Sequence, residues 1–105
     1  MSKPLTQPMY YILLSLREER HGYEIMQYIE CLTEGRVTVG PGTLYSLLSR
    51  FENDEYIKMV SQKENKKTYL ITNLGRIILD KEIKRLEQLL NDSKRSDENE
   101  FQNRD

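Results

Sequence analysis

The sequence contains few of the residues on which disulfides, metal sites and enzyme active sites depend. It has one cysteine and one histidine, so it can form no intrachain disulfide and no zinc site. Cys31 is expected to be a half-buried structural thiol. His21 has no serine, cysteine or carboxylate partner in a recognisable catalytic motif, so a role in a turn or helix start is favoured over that of a general base. We predict no catalytic residues, no metal and no cofactor.

Long apolar runs are also absent. The longest, from Met9 to Leu16, is far short of the roughly 20 residues that span a membrane, and the N-terminus has no signal-peptide pattern. These absences predict a cytoplasmic protein with no membrane partner. A chain of 105 residues forms one domain with a modest core, for which oligomerisation would add stability.

An overall positive charge is missing as well. The 16 lysines and arginines are balanced by 17 acidic residues, which gives a net charge of -1. Positive charge is concentrated locally, because residues 58–67 hold Lys58, Lys63, Lys66 and Lys67 against the single Glu64. A nucleic-acid partner would therefore require charge segregated by face, and its sequence-independent binding would be weak.

The stretch Gly40 to Asp54 predicts a central helix. Pro41 stands at a favourable first helical position. One face is apolar at helical spacing, through Leu44, Leu47, Leu48 and Phe51. The opposite face carries small and hydroxyl residues and one arginine: Gly42, Ser46, Ser49, Arg50 and Asn53, bordered by Thr43 and Tyr45. Such a face suits close approach to a large anionic surface, and DNA is the first candidate.

The other patterns place this helix within a winged helix-turn-helix. We predict a first helix over about Thr6–Glu19, a second over Tyr23–Thr33 with Gly35 as its left-handed cap, strands over residues 56–63 and 67–72, and a last helix to about Asp92. Residues 37–39 form either a tiny strand or an extended entry to the central helix. Three helices followed by a hairpin with a basic tip give a mainly α fold with a small β-hairpin and a C-terminal dimerisation helix.

The last helix carries an apolar seam that predicts a dimer. The seam consists of Leu79, Ile83, Leu86 and Leu90, spaced four, three and four residues apart. A helix folded back on its own domain is the alternative, and a partner helix is favoured. The first helix is apolar on nearly all sides, which assigns Tyr10 and Leu13 to the same dimer interface. The predicted organisation is a DNA-binding domain over 1–74 with a flexible arm over 1–8, the dimerisation helix over 75–92 and a disordered polar tail over 93–105.

Roles on the central helix follow from groove geometry, because a recognition helix enters the major groove with its N-terminal half. Pro41, Gly42 and Thr43 let the backbone and a hydroxyl approach a phosphate. Ser46 and Ser49 are short enough for base edges or phosphates.

Larger side chains leave alternatives open. Arg50 would bind a guanine or a phosphate, or else pair with Asp54 four residues on. Tyr45 would contact a phosphate or pack on the core. Lys66 and Lys67, at the hairpin tip, would reach a phosphate or the minor groove, or else be solvated charges.

These residues also carry a family resemblance. His21 to Ile25, Val39 to Tyr45, Leu48 to Glu52 and Lys67 to Gly75 resemble the signature of PadR-type transcriptional regulators. The resemblance runs from about Met9 to Leu90, and the single C-terminal helix is similar to the compact subgroup. It implies a homodimeric repressor that binds an inverted-repeat operator in double-stranded DNA and is released by a small molecule or stress signal.

The sequence departs from the family pattern at two points. Asp54-Glu55-Tyr56 stands where the family usually has a glycine-containing turn, so the exit of the central helix is expected to differ. There is no tryptophan, and Leu86 falls near the place where drug-sensing relatives stack aromatic ligands on one. That departure argues against a multidrug sensor. A small apolar or phenolic effector, bound between subunits near Tyr10 and Tyr11, is the expectation instead.

Two other functional classes remain open. A winged helix can serve as a protein–protein interaction module without DNA binding, which the neutral charge favours and the Ser/Thr/Arg face opposes. An enzyme is the weaker rival, because no nucleophile–base pair, phosphate-binding glycine loop or metal cluster is recognisable in the sequence.

Overall fold

The computed structural model describes residues 3–97. Along the chain lie α1 (Gln7–Ser15), β1 (Arg20–His21), α2 (Gly22–Leu32), α3 (Pro41–Asn53), β2 (Ile57–Lys63), β3 (Lys66–Ile71) and α4 (Asn73–Ser96). The strands form one antiparallel sheet in the order β1-β3-β2. The predicted fold, helices with a β-hairpin wing and a long C-terminal helix, is confirmed. No helix in the described part of the chain is long and apolar enough to cross a membrane.

Helix α1 is shorter than the predicted span, which continued to Glu19. Thr6 caps its start by accepting a hydrogen bond from the backbone N–H of Met9. Its end is fixed because tertiary partners use its last carbonyls. The Ile71 N–H donates to the Leu16 carbonyl at 2.8 Å, and the Arg20 guanidinium donates to the Ser15 carbonyl. The chain therefore leaves the helix toward the sheet.

Strand β1 is a short element that sequence analysis missed. It pairs Arg20 with Tyr69 and His21 with Thr68, so it joins the hairpin to the start of α2. His21 then serves as the helix N-cap, as favoured above. Its side chain accepts from the Glu24 N–H, while the Glu24 carboxylate accepts from the His21 N–H.

The loop between α2 and α3 is extended rather than a strand. Gly35 has a φ of 78° and its N–H donates to the Glu30 carbonyl at 2.9 Å, which is the predicted left-handed ending of α2. Val37 and Val39 are buried in the core without sheet partners among the described residues. Thr33 fixes the loop, since its hydroxyl bonds both the Ile29 carbonyl and the backbone of Val37.

The exit of α3 keeps a left-handed turn although it lacks glycine. Glu55 has a φ of 64°, the backbone region that glycine adopts most easily. The turn leads into β2, and the hydroxyl of Thr72 donates to the Glu55 carbonyl at 2.7 Å. The Tyr56 carbonyl accepts from the Thr72 N–H at 3.0 Å. The different residue at the exit thus does not change the course of the chain.

Helix α4 extends four residues beyond the predicted Asp92, so residues 93–96 are helical rather than disordered. Lys94 and Arg95 lie in its last turn, where positive charge is favourable against the helix dipole. The remainder of the predicted tail, residues 98–105, and the first two residues of the predicted arm lie outside the described residues.

The core lies where all four helices meet the sheet. Its buried apolar residues are Ile12, Leu13, Leu16, Ile25, Ile29, Val37, Val39, Leu44, Leu48, Phe51, Ile57, Tyr69, Ile71 and Leu79. Helix α4 enters it through Gly75, where an added Cβ would stand 2.1 Å from the Tyr56 carbonyl oxygen. Only glycine permits this approach, so Gly75 positions the long helix on the wing.

Candidate nucleic-acid interface

Helix α3 divides into a buried and an exposed face. Leu44, Leu48 and Phe51 are buried with at most 1% exposure, so they anchor the helix in the core. The residues predicted to approach DNA all lie exposed: Pro41, Gly42, Thr43, Tyr45, Ser46, Ser49 and Arg50. A flat partner can therefore reach this face without rearrangement of the core.

The start of α3 leaves backbone donors uncovered. Gly40 is the N-cap and provides no side-chain hydrogen bond, and Pro41 has no N–H. A Cβ added at Gly42 would find no atom within 4 Å. The N–H groups of the first helical turn therefore face open space, at the end of the helix where the dipole favours an anion.

Tyr45 spans the gap between α3 and the start of α2. A Cβ added at Gly22 would lie 2.4 Å from the Tyr45 hydroxyl oxygen, so the phenol lies directly over this glycine. The residue nevertheless remains 56% exposed. It is therefore at the surface rather than in the core, with its hydroxyl held beside His21 and Gly22.

The hairpin tip carries two lysines into solvent. Glu64 and Asn65 have φ values of 50° and 67°, which form a tight two-residue turn between Lys63 and Lys66. Lys66 and Lys67 are exposed, and within residues 3–97 neither forms an ion pair. Their ammonium groups are available for an external anion.

A groove of about 630 Å³ joins these elements. It runs between α3, the start of α2 and the hairpin. Its walls are formed by His21, Gly22, Tyr23, Tyr45, Leu48, Ser49, Glu52, Asn65, Lys66, Lys67 and Tyr69. The groove thus brings together Tyr45, Ser49 and both wing lysines. His21, Tyr23 and Glu52 line it too, and sequence analysis gave them no binding role, because only the tertiary fold brings them to the wing.

Arg50 lies apart from this groove. Its guanidinium is 4.0 Å from the Asp54 carboxylate, one helical turn on, and its side chain is 64% exposed. A surface pair of this kind contributes only a few tenths of a kcal/mol, roughly 0.3–0.5. Both predicted roles of Arg50 are therefore compatible with its position, since releasing Asp54 to bind an anion costs little.

The predicted dimer residues fall into two groups. Leu13 is fully buried and Leu79 is 1% exposed, so both pack inside the protomer's own core and present no surface to a partner. Their assignment to the interface is corrected accordingly: the seam begins inside the domain. Tyr10 and Ile83 are half-buried at the core edge. Leu86 and Leu90 are 37% and 55% exposed, which leaves the distal half of the seam uncovered.

A buried charge lies beside this apolar surface, and sequence analysis did not anticipate it. Glu82 is 6% exposed and accepts two hydrogen bonds from Arg85, at 3.0 and 2.5 Å, and one from the Leu5 N–H at 3.4 Å. The bonds from Arg85 hold the pKa of Glu82 below its ordinary value. Burial, and then the neighbouring Tyr11, raises the pKa of Tyr10. This cluster ties the N-terminal segment to α4.

The arrangement defines a class of protein: a winged helix-turn-helix with an open recognition helix and a basic hairpin tip. The chain belongs to the transcriptional regulator PadR-like family, whose family model matches residues 12–81. The recognised resemblance is thereby confirmed, and the chain is that of a transcriptional regulator of this family.

Similar proteins with solved structures agree with this assignment. A transcriptional regulator from Clostridium thermocellum matches with a TM-score of 0.72 and 26% identity, over 86% of this chain and 92% of that one. A PadR-like transcription factor from Bacteroides fragilis matches with a TM-score of 0.65 and 31% identity, over 82% and 84%. The transcriptional regulator YqjI of Escherichia coli is 34% identical over 59 residues, which are 56% of this chain but only 28% of that protein's length.

Proposed function

We propose that this protein is a homodimeric repressor that binds an inverted-repeat operator in double-stranded DNA. The observation that carries the proposal is the joint exposure of the small-residue face of α3 and the lysines of the wing around one groove. Helix α3 enters the major groove with its N-terminal half, while Lys66 and Lys67 contact phosphates beside it. A two-fold symmetric dimer presents two such helices, which is why the operator is an inverted repeat.

The residues divide into those that position the protein and those that read sequence. The first turn of α3, Tyr45 and the wing lysines contact phosphates, which carry no direct sequence information. Ser46, Ser49 and Arg50 lie on the exposed face of the helix and reach base edges. Arg50 is the residue with the geometry for a bidentate guanine contact.

A fluorescence-anisotropy titration tests this division. The probes are DNA from upstream of the protein's own gene and a random duplex, each at several salt concentrations. Lys66→Ala combined with Lys67→Ala should weaken binding to both DNAs by similar factors and flatten the salt dependence by about one unit of log–log slope per lost contact in each subunit. Arg50→Ala should instead narrow the difference between the two DNAs by about 1–3 kcal/mol.

Three other results have distinct meanings. Equal losses on both DNAs for Arg50→Ala would mean that Arg50 holds the backbone and reads no base. Salt-sensitive binding with no preference for the upstream DNA would place the operator elsewhere. Absence of binding to either DNA by the unmodified protein would reject DNA binding and favour the alternative of a protein–protein interaction module, which the net charge of -1 supports.

The dimer forms through the distal half of α4 and the exposed edge of α1. Leu86, Leu89 and Leu90 are between 37% and 55% exposed in the protomer, which is unfavourable for a solvated helix. A partner helix would cover them. Continuity with the core at Ile83 supports this arrangement, because the same apolar stripe runs from the domain onto the uncovered part of the helix.

An effector that releases the repressor would bind between the subunits, near α1. The rings of Tyr10 and Tyr11 lie 5.3 Å apart in an edge-to-face arrangement. Aromatic walls with few charges suit an apolar or phenolic compound. A thermal-shift screen should find stabilisation by such compounds, and a screen in which only highly charged compounds stabilise the protein would contradict this assignment.

A further inference from the structure

The groove between α3 and the hairpin contains charges of both signs. Lys66 and Lys67 lie on its hairpin side, and Glu52 lies on its α3 side. A groove built only to attract phosphates would have no carboxylate in its wall. The acidic residue therefore requires a separate explanation.

Structural roles do not explain Glu52. Its side chain is exposed, and within residues 3–97 its carboxylate has no hydrogen-bond or ion-pair partner. The charge acts across the groove, because after burial it is the next cause of the raised pKa of Tyr69 on β3. The carboxylate thus faces the space between α3 and the wing, and it stabilises nothing within the protomer.

The position of Glu52 on the helix separates it from base-reading residues. Glu52 follows Tyr45 by seven residues, so both lie on the flank of α3 that faces the groove. Ser46, Ser49 and Asn53 lie at three- and four-residue spacing on the neighbouring exposed face. Whatever approaches Tyr45 and the wing lysines therefore approaches Glu52, whereas a base edge approaches the other face.

We propose that Glu52 sets the affinity of this protein for DNA by repelling the phosphate that Lys66, Lys67 and Tyr45 attract. This inference rests on the proposed DNA-binding function. Sequence-independent binding depends almost wholly on phosphate contacts, so repulsion in the groove keeps it weak. Operator binding tolerates the same repulsion, because base contacts on α3 add to it.

The test is Glu52→Gln, which removes the charge and keeps the shape. At a separation of about 6 Å in water, one carboxylate–phosphate repulsion corresponds to roughly a threefold change in affinity for each subunit. A dimer should therefore bind both operator and random DNA about tenfold more tightly at low salt. The gain should shrink as salt rises, since the repulsion becomes screened. Glu52→Asp keeps the charge and should bind within about twofold of the unmodified protein.

Glu30→Gln provides the matched control. Glu30 is exposed on α2 and lines a different depression beside Cys31, so the same change in net charge occurs away from the groove. Its effect on binding should be small. If Glu30→Gln and Glu52→Gln raise affinity equally, overall charge is responsible and the proposal is wrong.

Other outcomes decide the remaining cases. A Glu52→Gln protein that loses preference for the operator would show that Glu52 reads a base, and unchanged or weaker binding would show that no phosphate lies near it; both overturn the proposal. These failures are distinguishable from failure of the proposed function. In each of them the unmodified protein still binds DNA and the Lys66/Lys67 double variant still weakens binding, whereas a protein that binds no DNA removes both proposals together.

Discussion

Gly22→Ala tests whether the place of the Tyr45 phenol matters for DNA binding. The new methyl carbon would lie 2.4 Å from the phenol oxygen and 2.9 Å from the adjacent ring carbon. Ordinary contact begins near 3.4 Å, so the ring has to move by about 1 Å. Every close atom belongs to this one side chain, and 56% of the residue is exposed, so the ring can turn outward into solvent.

The expected effect is small on stability and large on binding. Because no backbone or core atom is displaced, the free energy of unfolding should change by less than about 1 kcal/mol, as for most substitutions away from the core. If the hydroxyl holds a phosphate, its displacement costs about 0.5–1.5 kcal/mol in each subunit. A dimer would then lose roughly tenfold to hundredfold in affinity on operator and random DNA alike.

A double-mutant cycle with Tyr45→Phe provides the assay. Phenylalanine removes only the hydroxyl, so each single variant should weaken DNA binding, and the double variant should be little weaker than either. Thermal melts of all four proteins check the fold. Additive losses would mean that Gly22 acts through another contact. Unchanged binding by Tyr45→Phe would show that the hydroxyl does not touch DNA, which refutes the reasoning.

Three further predictions concern α4. Gly75→Ala should destabilise the protein by about 1–3 kcal/mol or more, because the Cβ meets the rigid Tyr56 carbonyl at 2.1 Å; an unchanged melting temperature would contradict this. The pKa of Glu82 is lowered below 4.5 by Arg85, so its stabilising effect is present above pH 4.5 and is lost as the pH falls through the folded-state value. Acid melts of the Glu82→Gln variant should therefore depend less on pH in that range than those of the unmodified protein. Leu86→Glu should give folded monomers in sedimentation, since this leucine is 37% exposed, and a folded dimer would place the interface elsewhere.

The elements with a strong local signal could be predicted from the sequence. Helix α3 begins at Pro41 and ends at Asn53, as its proline and apolar spacing indicate. The hairpin was predicted to within one residue at each strand end, because β-branched and aromatic residues flank a short polar turn. In both cases the signal lies within a window of about 15 residues.

Features that depend on distant partners could not be predicted in this way. Strand β1 is two residues long, and its partners on β3 are far along the chain. Leu13 and Leu79 have the same apolar character as the exposed seam leucines, so periodicity alone cannot tell the core from an interface. Glu82 is buried because the fold brings the Leu5 N–H to it, which no spacing of charges on α4 reveals.

The candidate interface shows the same division. The predicted residues of α3 are exposed because a helix with one apolar face must turn its other face outward. That Tyr45 lies over Gly22, and that Glu52 shares a groove with Lys66, depends on how the wing is held against α2. A sequence motif identifies these residues separately, and only the fold shows that they act on the same space.

The fold also indicates how binding at the dimer interface would reach the DNA face. Helix α1, which carries Tyr10, ends in a hydrogen bond from the Ile71 N–H of β3 to the Leu16 carbonyl. The same β3 begins at Lys66, so α1 is directly attached to the strand that carries the wing lysines. A ligand that moves α1 must either carry β3 with it or break this bond. Because a ligand shifts an equilibrium only by its different affinities for the two states, an effector of this protein has to favour one spacing of the two wings over another.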